Sequence, residues 1–477
     1  MSDFATLPFV RALHVAGARV YTVGGTVRDL LLGHPRKDID LLVTGLPQDA
    51  LIRLLRRYGR VQLTGRAFGV IKFLPRHWDD PPIDIALPRT EVSTGVGHRD
   101  FVVTFDHTLP VETDLGRRDF TINAMAMDLA DGHILDPFGG RADLQLRILR
   151  QVSQAAFPED PLRMLRGVQL ATRFDLRVDA TTHRAMQAQA ASITTVAPER
   201  IAEELRKLFQ ATAPSQGFIL MQEVGLLPYV FPEFSRLVGF TGVAAALRRG
   251  DPTPATDAPD IFSRTIRRLD AIQQQEAIMH RGHLDLLLAA LLQNSGLPEA
   301  VQLPPQALAQ HSADLALQRL RALRMTTIGA HVDRIVTLIV HSALDISTLN
   351  TAAAVRHLAH RLGLDVTFML FDLWLADRLG NLPPQPIDDL LACRQRLQDE
   401  IARHVPLSLQ DLAVNGHDLQ RLGMSPGPRL GQLLQTLLQH VLDDPTQNTR
   451  DHLLAMAQSE IAHNAAEGGM RSAEGEV

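Results

Sequence analysis

Two hydrophobic periodicities divide the chain. In residues 1–150, Val20–Val23, Ile39–Val43, Val70–Phe73, Ile83–Leu87 and Phe101–Phe105 are short apolar runs, bounded or interrupted by polar residues, and they predict strands. Segments 45–60 and 120–130 predict helices among them. From Asp160 nearly to the end, leucine recurs at spacings of three and four, as in 201–209, 284–292 and 430–442, which predicts helices. Proline- and glycine-containing stretches near 213–216, 250–260, 380–388 and 424–428 are candidate connections. No clear repeat is visible. The layout expected is an α/β head followed by an elongated helical remainder. The polar, glycine-rich tail is expected to be disordered.

Composition narrows the picture. The 477 residues suggest roughly three domains. The single cysteine, Cys393, allows no internal disulfide, which fits a reducing cytoplasm. The first residues, MSDFATLPFV, lack the basic-then-apolar pattern of a signal peptide. The longest apolar run, Leu286–Leu292, falls far short of the ~20 residues needed to span a bilayer. A soluble cytoplasmic protein with no membrane association is expected, and no protein partner is evident. The net charge of −5 does not advertise nucleic-acid binding. Yet Lys37, Lys72 and Lys207 are the only lysines among 48 basic residues. Arginine binds phosphate through a bidentate fork, although a GC-rich coding sequence would give the same bias. With aromatics at 5%, any nucleic-acid binding would rest on duplex shape and phosphates more than on base stacking.

The most informative stretch is VYTVGGTVRDLLLGHPRKDIDLLVTG, residues 20–45. Side chains alternate across a strand, so Asp38 and Asp40 point to one side, ~6.5–7 Å apart, while Ile39, Leu41 and Val43 point to the other. Two carboxylates on one face repel unless cations lie between them. Two divalent metals ~3.5–4 Å apart would satisfy them and could activate a hydroxyl against a phosphate; a solvated strand end is the bland alternative. Gly24 and Gly25 lie between a strand and a helix, where backbone N–H groups favour phosphate. Arg28, one turn on, could reach the same anion. A third acid, Asp84, again alternates with Ile83 and Ile85. Neither a P-loop nor a dinucleotide-binding glycine motif is present.

VGGTVRDLLLG…KDIDLLVTG resembles the signature of class II tRNA nucleotidyltransferases and bacterial poly(A) polymerases, a branch of the DNA polymerase β-like superfamily. DLGRRDFTINAMAMD (114–128), DPFGGRADLQLRILR (136–150), FPEDPLRMLRGVQLATRF (157–174), PERIAEELRKLF (198–209) and LSLQDLAVNGHDLQRLGMSPGPRLGQLLQ (407–435) resemble further parts of it in the family's order. The resemblance implies an α+β fold, with a polymerase β-like catalytic head of mixed sheet and flanking helices over 1–150, an all-helical remainder, and a base-recognising neck over 151–212. It further implies a helical body over 213–402, a tRNA-binding tail over 403–465 and a disordered end over 466–477. It implies that Asp38 and Asp40 hold Mg²⁺, with Asp84 as third catalytic acid. Gly24, Gly25, Arg28, Arg118, Asp119, Asp160, Arg163 and Arg166 would bind the nucleotide. The partners implied are tRNA, on its acceptor and T-stem side, with CTP and ATP.

Asp160, Arg163 and Arg166 fall three apart, which places them on one helical face. They form either a solvated, ion-paired stripe or a base-reading edge. Cytosine and adenine both present an amino donor beside a bare ring nitrogen. A carboxylate accepts from the first and an arginine donates to the second, whereas uracil and guanine present the reverse order. Each missing buried contact costs ~1–3 kcal/mol. Many relatives carry a phosphohydrolase site in a run like ALLHDLGK. Here LAALLQNSG places Gln293 and Asn294 at the His and Asp positions, and amides are poor metal ligands. Pairs such as His280 and His283 are expected to be surface or core residues. The function expected is addition of C, C and A to the 3′ end of tRNA with release of pyrophosphate. A poly(A) polymerase, a partial CC- or A-adding enzyme and a non-catalytic RNA-binding relative are the rivals. The long stretch Val92–Thr113 favours full CCA addition, since it could form a mobile loop used in switching from C to A.

Overall fold

A computed structural model of the chain describes residues 6–34, 39–64, 70–93, 101–241 and 260–473. The apolar runs of the head become β1 (Arg19–Val23), β2 (Asp40–Thr44), β3 (Gly59–Thr64), β4 (Val70–Pro75) and β5 (Ile83–Ala86). Among the described residues, β6 (Arg89–Ser93) and β7 (Phe101–Phe105) form a separate two-stranded antiparallel ribbon; β7 and the end of β6 fall in the segment read as a switching loop. β8 (Ala126–Asp128) and β9 (Ile134–Leu135) complete a seven-stranded sheet of order β3-β4-β5-β2-β1-β8-β9. The sheet is mixed: β2 runs parallel to β5 and antiparallel to β1.

Both faces of this sheet are covered. Val20, Leu41, Val43, Ile71, Phe73, Ile83 and Ile85 pack on one side with α1 (Pro8–Val15), α3 (Gln48–Leu55) and Val27 of α2 (Gly25–Leu31). Tyr21, Val23 and Leu42 pack on the other with Val111 and Leu115 of α4 (Val111–Gly116). Burial on both faces explains why β1 and β2 read as nearly continuous apolar runs. Each such Leu, Ile or Val contributes about 1.5–3 kcal/mol when fully buried.

The expected helix over 120–130 is a correction. Thr121–Asn123 make one 3₁₀ turn, and β8 follows, pairing antiparallel with β1 through Tyr21↔Asp128 and Val23↔Ala126. The stretch from Phe120 to Leu129 is buried on nearly all sides, so it carries no period to distinguish a strand from a helix. The helix expected over 45–60 is confined to α3, because Gly59 begins β3.

Beyond the sheet come α5 (Gly140–Gln145), β10 (Ile148–Leu149), α6 (Ala156–Glu159), α7 (Leu162–Phe174), β11 (Arg177–Val178), α8 (Ala180–Gln189) and α9 (Pro198–Phe209). Asp179 fixes their order locally. Its carboxylate caps α8 by accepting from the N–H groups of Thr181 and Thr182, and it also receives Arg150 at 2.9 Å. Residues 1–236 with 319–330 form one compact unit, and 237–318 with 331–477 form a second.

Within the second unit the helix Leu284–Leu292 is buried from Asp285 onward and, apart from that aspartate, is apolar on every side. A separate core joins the helices Gly416–Arg421, Pro428–Asp443 and Arg450–Ala473 through Leu419, Leu437, Leu438, Val441 and Leu453. The last helix continues into the segment expected to be disordered and ends at Ala473. Among the described residues, no helix is long and apolar enough to cross a membrane.

Candidate active site in the head

The acids meet through strand register. Asp40 lies opposite Asp84 across the parallel β2–β5 pair, and Lys72 lies opposite Asp84 across β4–β5. Strand alternation therefore puts Lys72, Asp84 and Asp40 in one row on the sheet face that carries α4. The Lys72 ammonium stands 3.2 Å from Asp84 Oδ1, with both side chains more than a third exposed. Asp84 Oδ1 is buried and makes no hydrogen bond of good geometry. The backbone N–H of Asp40 donates to Thr26 Oγ1 at 3.3 Å, which ties the acidic strand to the helix that follows the glycine turn. Asp38 lies outside the described residues. Among the described residues, no group of three or more acids, histidines or cysteines could hold a metal ion.

The glycine turn faces two arginines. Gly24 has φ +68°, a left-handed conformation that disfavours any Cβ, and a Cβ there would stand 2.5 Å from Arg118 Nη1. A Cβ on Gly25 would touch Arg28 Nη2 at 3.4 Å. Arg28 is nearly buried; it donates to Asn123 Oδ1 at 2.7 Å and Asp29 Oδ1 at 2.7 and 2.9 Å, and its guanidinium lies 4.3 Å from the Phe174 ring centre. Arg118 donates to Asp114 Oδ2 at 3.2 Å and keeps a buried Nε with no partner. Burial would raise the Asp114 carboxyl, but Arg118 and Arg117 outweigh it and hold the group below the usual carboxylate range. A fixed anion thus orients Arg118 over the turn.

The charged residues at the start of α7 and along it meet different partners. Asp160 precedes α7 and is held by Arg200 of α9, with Nη2–Oδ2 2.8 Å and Nη1–Oδ1 3.3 Å. Arg163 is buried and donates to the carbonyls of Arg117 (2.8 Å) and Ala156 (3.2 Å) and to Glu159 (3.2 Å). Arg166 bridges Asp119 at 3.3 Å and Glu204 at 3.5 Å. Burial would lower the Arg166 group, yet Asp119 and Glu204 raise it. Burial would likewise raise Asp119, but Arg166 and a hydrogen bond from Asn123 keep it low. Asp119 also accepts from the Phe120 N–H at 2.8 Å, so it anchors the chain between α4 and β8 and links it to α7. Asp114, Asn123, Phe174 and Arg200 went unread in the sequence. Signals for them were thin: Asp114 and Asn123 lie inside DLGRRDFTINA, and Phe174 closes the ATRF run.

In the second unit, the amide oxygen of Gln293, turned toward Arg268, accepts from its Nη2 at 3.0 Å and its Nε at 3.1 Å. Arg268 is 1% exposed, donates to the Ala290 carbonyl at 2.9 Å and pairs with Asp377. His280 donates through Nδ1 to the buried Asp372 carboxylate at 2.7 Å and is not part of any metal-ligand cluster among the described residues.

Acids gathered on one face of a mixed sheet, beside a glycine turn flanked by arginines, define a polymerase β-like nucleotidyltransferase head followed by a helical body. Residues 20–150 match the poly(A) polymerase head domain, 175–237 a "Probable RNA and SrmB-binding site of polymerase A", and 348–457 the tRNA nucleotidyltransferase domain 2. The matched models are domains of the tRNA nucleotidyltransferases and poly(A) polymerases that the motifs of this chain resemble. It is 38% identical over 291 residues to the multifunctional CCA protein of Janthinobacterium sp. (strain Marseille), which covers 60% of this chain and 63% of that one. The chain therefore spans less than two thirds of that relative's length. Its fold matches the crystal structure of the Bacillus stearothermophilus CCA-adding enzyme in complex with CTP, at TM-score 0.67 and 22% identity over 98% of this chain and 99% of that one. It also matches the Thermotoga maritima CCA-adding enzyme complexed with tRNA, at TM-score 0.60 and 19% identity over 96% and 97%. Nucleotidyltransferases of this class generally use divalent metal ions. The under-partnered Oδ1 of Asp84, beside Asp40 in register, suits such a cation.

Proposed function

We propose that this chain is a cytoplasmic tRNA nucleotidyltransferase that adds C, C and A to the 3′ end of tRNA from CTP and ATP. The observation that carries the reading is the Asp40↔Asp84 register beside a glycine turn that only glycine fits, with Arg28 and Arg118 against it. Asp38 and Asp40 would hold Mg²⁺, with Asp84 beside them. When bound, Mg²⁺ supplies electrostatic stabilisation of charge developing on the transferring phosphate.

The chain's own residues do the rest. The turn at Gly24–Gly25 lets the triphosphate approach the backbone closely, and Arg28 and Arg118 offer it donors in fixed directions. Asp114 and Asn123 hold those arginines in place before the nucleotide arrives. The 3′-hydroxyl of tRNA then attacks the α-phosphate and pyrophosphate leaves. Asp160, at the head of α7, presents its carboxylate to the amino group of cytosine or adenine. Arg163, which here donates to the carbonyls of Arg117 and Ala156 and to Glu159, would donate to the bare ring nitrogen beside that amino group. In this reading 1–150 is the catalytic head, 151–212 reads the base, 213–402 is the body, and 403–465 binds the acceptor and T-stem side of tRNA.

The test is incubation with tRNA lacking its 3′ end plus CTP, ATP or both, with product ends sequenced. The expected product ends in CCA when both are supplied and in CC with CTP alone. Long adenosine chains on unstructured RNA would favour a poly(A) polymerase. Ends that stop at CC with both nucleotides present would favour a partial enzyme.

A further inference from the structure

The last residue of α7 meets the arginine of the glycine turn. Asp175 adopts φ +52°, a left-handed conformation that stops the helix and that aspartate tolerates better than most residues. The carbonyl of Phe174 accepts from Arg147 Nη1 at 2.6 Å, and the parallel pairing of β10 with β11 holds the chain just beyond. The backbone of Phe174 is thus pinned, and its ring is buried. The Arg28 guanidinium lies over that ring at 4.3 Å, the Arg173 guanidinium at 5.2 Å, and the His34 ring stacks against it at 5.8 Å. Burial and the charge of Arg28 both lower the Arg173 group, so two like charges share one aromatic support.

Among the described residues, three of the five N–H groups of Arg28 are committed: one each from Nε and Nη2 to Asp29 Oδ1, and one from Nη1 to Asn123 Oδ1. Two acceptor atoms define an axis, and bonds to them resist a tilt of the guanidinium about that axis only weakly. A ring against the flat face blocks the tilt. It also keeps water from that face, which strengthens the attraction between cation and ring. We propose that Phe174 is a positioning residue for nucleotide binding: its ring fixes the plane in which Arg28 offers its remaining N–H groups to the triphosphate. The inference rests on the reading of Arg28 as a triphosphate ligand. The plane matters because a guanidinium recognises a phosphate through paired, coplanar donors. Leucine would fill much of the same space with no flat face and no ring quadrupole to hold a cation. The triphosphate is common to every nucleotide, so this contact affects C, A, U and G alike.

The test measures CTP and ATP binding by equilibrium dialysis without tRNA, then kcat and KM on tRNA lacking its 3′ end, together with thermal unfolding. Phe174→Leu is expected to raise the Kd and KM of both nucleotides by on the order of fivefold, with kcat changed less and the preference for C over U unchanged. Phe174→Tyr, which keeps the ring face, is expected to stay near the parent. If Phe174→Leu does not fold, Phe174→Met is read in the same way. Arg28→Ala should raise Kd more than Phe174→Leu does. Adding Phe174→Leu to Arg28→Ala should then change Kd little further, since the ring acts through that arginine. Additive effects in the double variant, or an unchanged Kd in Phe174→Leu alone, would overturn this inference and leave Arg28 standing as a triphosphate ligand. An unchanged Kd in Arg28→Ala would overturn the reading of Arg28 and the inference with it. Equal losses of kcat and of unfolding temperature in Phe174→Leu and Phe174→Tyr would make Phe174 merely structural.

Discussion

The head and the helical body each gather polar groups on apolar scaffolds, and they neutralise them in different ways. In the head, Asp40 and Asp84 stand side by side on a sheet face, and the cation beside Asp84 is Lys72, whose side chain is almost half exposed. An exposed pair of this kind contributes about 0–1 kcal/mol and yields readily to a stronger cation. In the body, the cation is Arg268, fully buried and gripped by Gln293, Asp377 and the Ala290 carbonyl. A buried guanidinium with its acceptors around it cannot be exchanged for a metal without leaving charges unpaired. The difference teaches that an open acidic site invites an ion, whereas a site closed by an internal arginine has become part of the fold.

The largest effect should come from opening that contrast at its acidic end. Asp40→Ala, like Asp38→Ala, is expected to reduce nucleotide addition by on the order of 10³-fold, since metal stabilisation is worth several kcal/mol. Binding of tRNA, followed by gel shift, should be nearly unchanged. Near-normal turnover with Mg²⁺ would remove these residues from the catalytic assignment.

Arg268→Ala attacks the closed site. Removing one partner of a buried ion pair costs about 3–5 kcal/mol, so denaturant unfolding should show a large loss of stability. A Gln293→His plus Asn294→Asp variant that retains Arg268 should bind no transition metal in a dialysis assay. Metal uptake by that variant would show that the arginine does not close the site. The parent should also lack metal-dependent hydrolysis of 2′,3′-cyclic nucleotides; such activity persisting in Asp38→Ala would contradict this reading of Gln293 and Asn294.

Gly24→Ala tests the phosphate turn. It imposes a left-handed conformation on alanine, at about 1–2 kcal/mol, and displaces Arg118 from the turn. A rise in the KM for CTP and ATP of roughly tenfold is expected, measured by steady-state incorporation. An unchanged KM would place the triphosphate elsewhere.

The smallest effect concerns pH in the body. The hydrogen bond to Asp372 raises His280 above its ordinary value near 6.5, against the opposing effect of burial. Asp365 lies on its other side at 3.6 Å, while Arg334 acts against the proton. A raised folded value means that protonation favours the folded body. That stabilisation is fully present below about 6.5 and is lost as pH rises through the folded value. His280→Asn should flatten the pH dependence of unfolding in that window; an unchanged slope would show that His280 does not titrate there.

Much of the candidate site was legible because it is local. The alternation at Asp38 and Asp40, the glycine pair and Arg28 all lie within one strand–turn–helix stretch, and the chain geometry of twenty residues fixes their relation. Asp84 was legible from its own alternation, but its place opposite Asp40 was not, since a parallel register is set by the connection and core between two strands. The stretch after Phe120 was misread because burial on all sides erases the period. The i, i+3 spacing groups Arg163 with Asp160, and the carbonyls of Arg117 and Ala156 that it meets here come from other parts of the chain. Arg268 had a weak signal, since it stands among Ile261, Thr265 and Ile272 on the buried side of its helix.

By itself the sequence determined the α+β head, the helical remainder, the acidic strand and the glycine turn, because these rest on periodicity and on steric limits that act between near neighbours. Tertiary structure alone decided which charge meets which. It paired Asp160 with Arg200, Arg166 with Asp119 and Glu204, and Arg268 with Gln293 and Asp377. The physical reason is that a buried charge must find a partner wherever packing brings one within reach. Packing joins residues dozens of positions apart, and no local pattern records that.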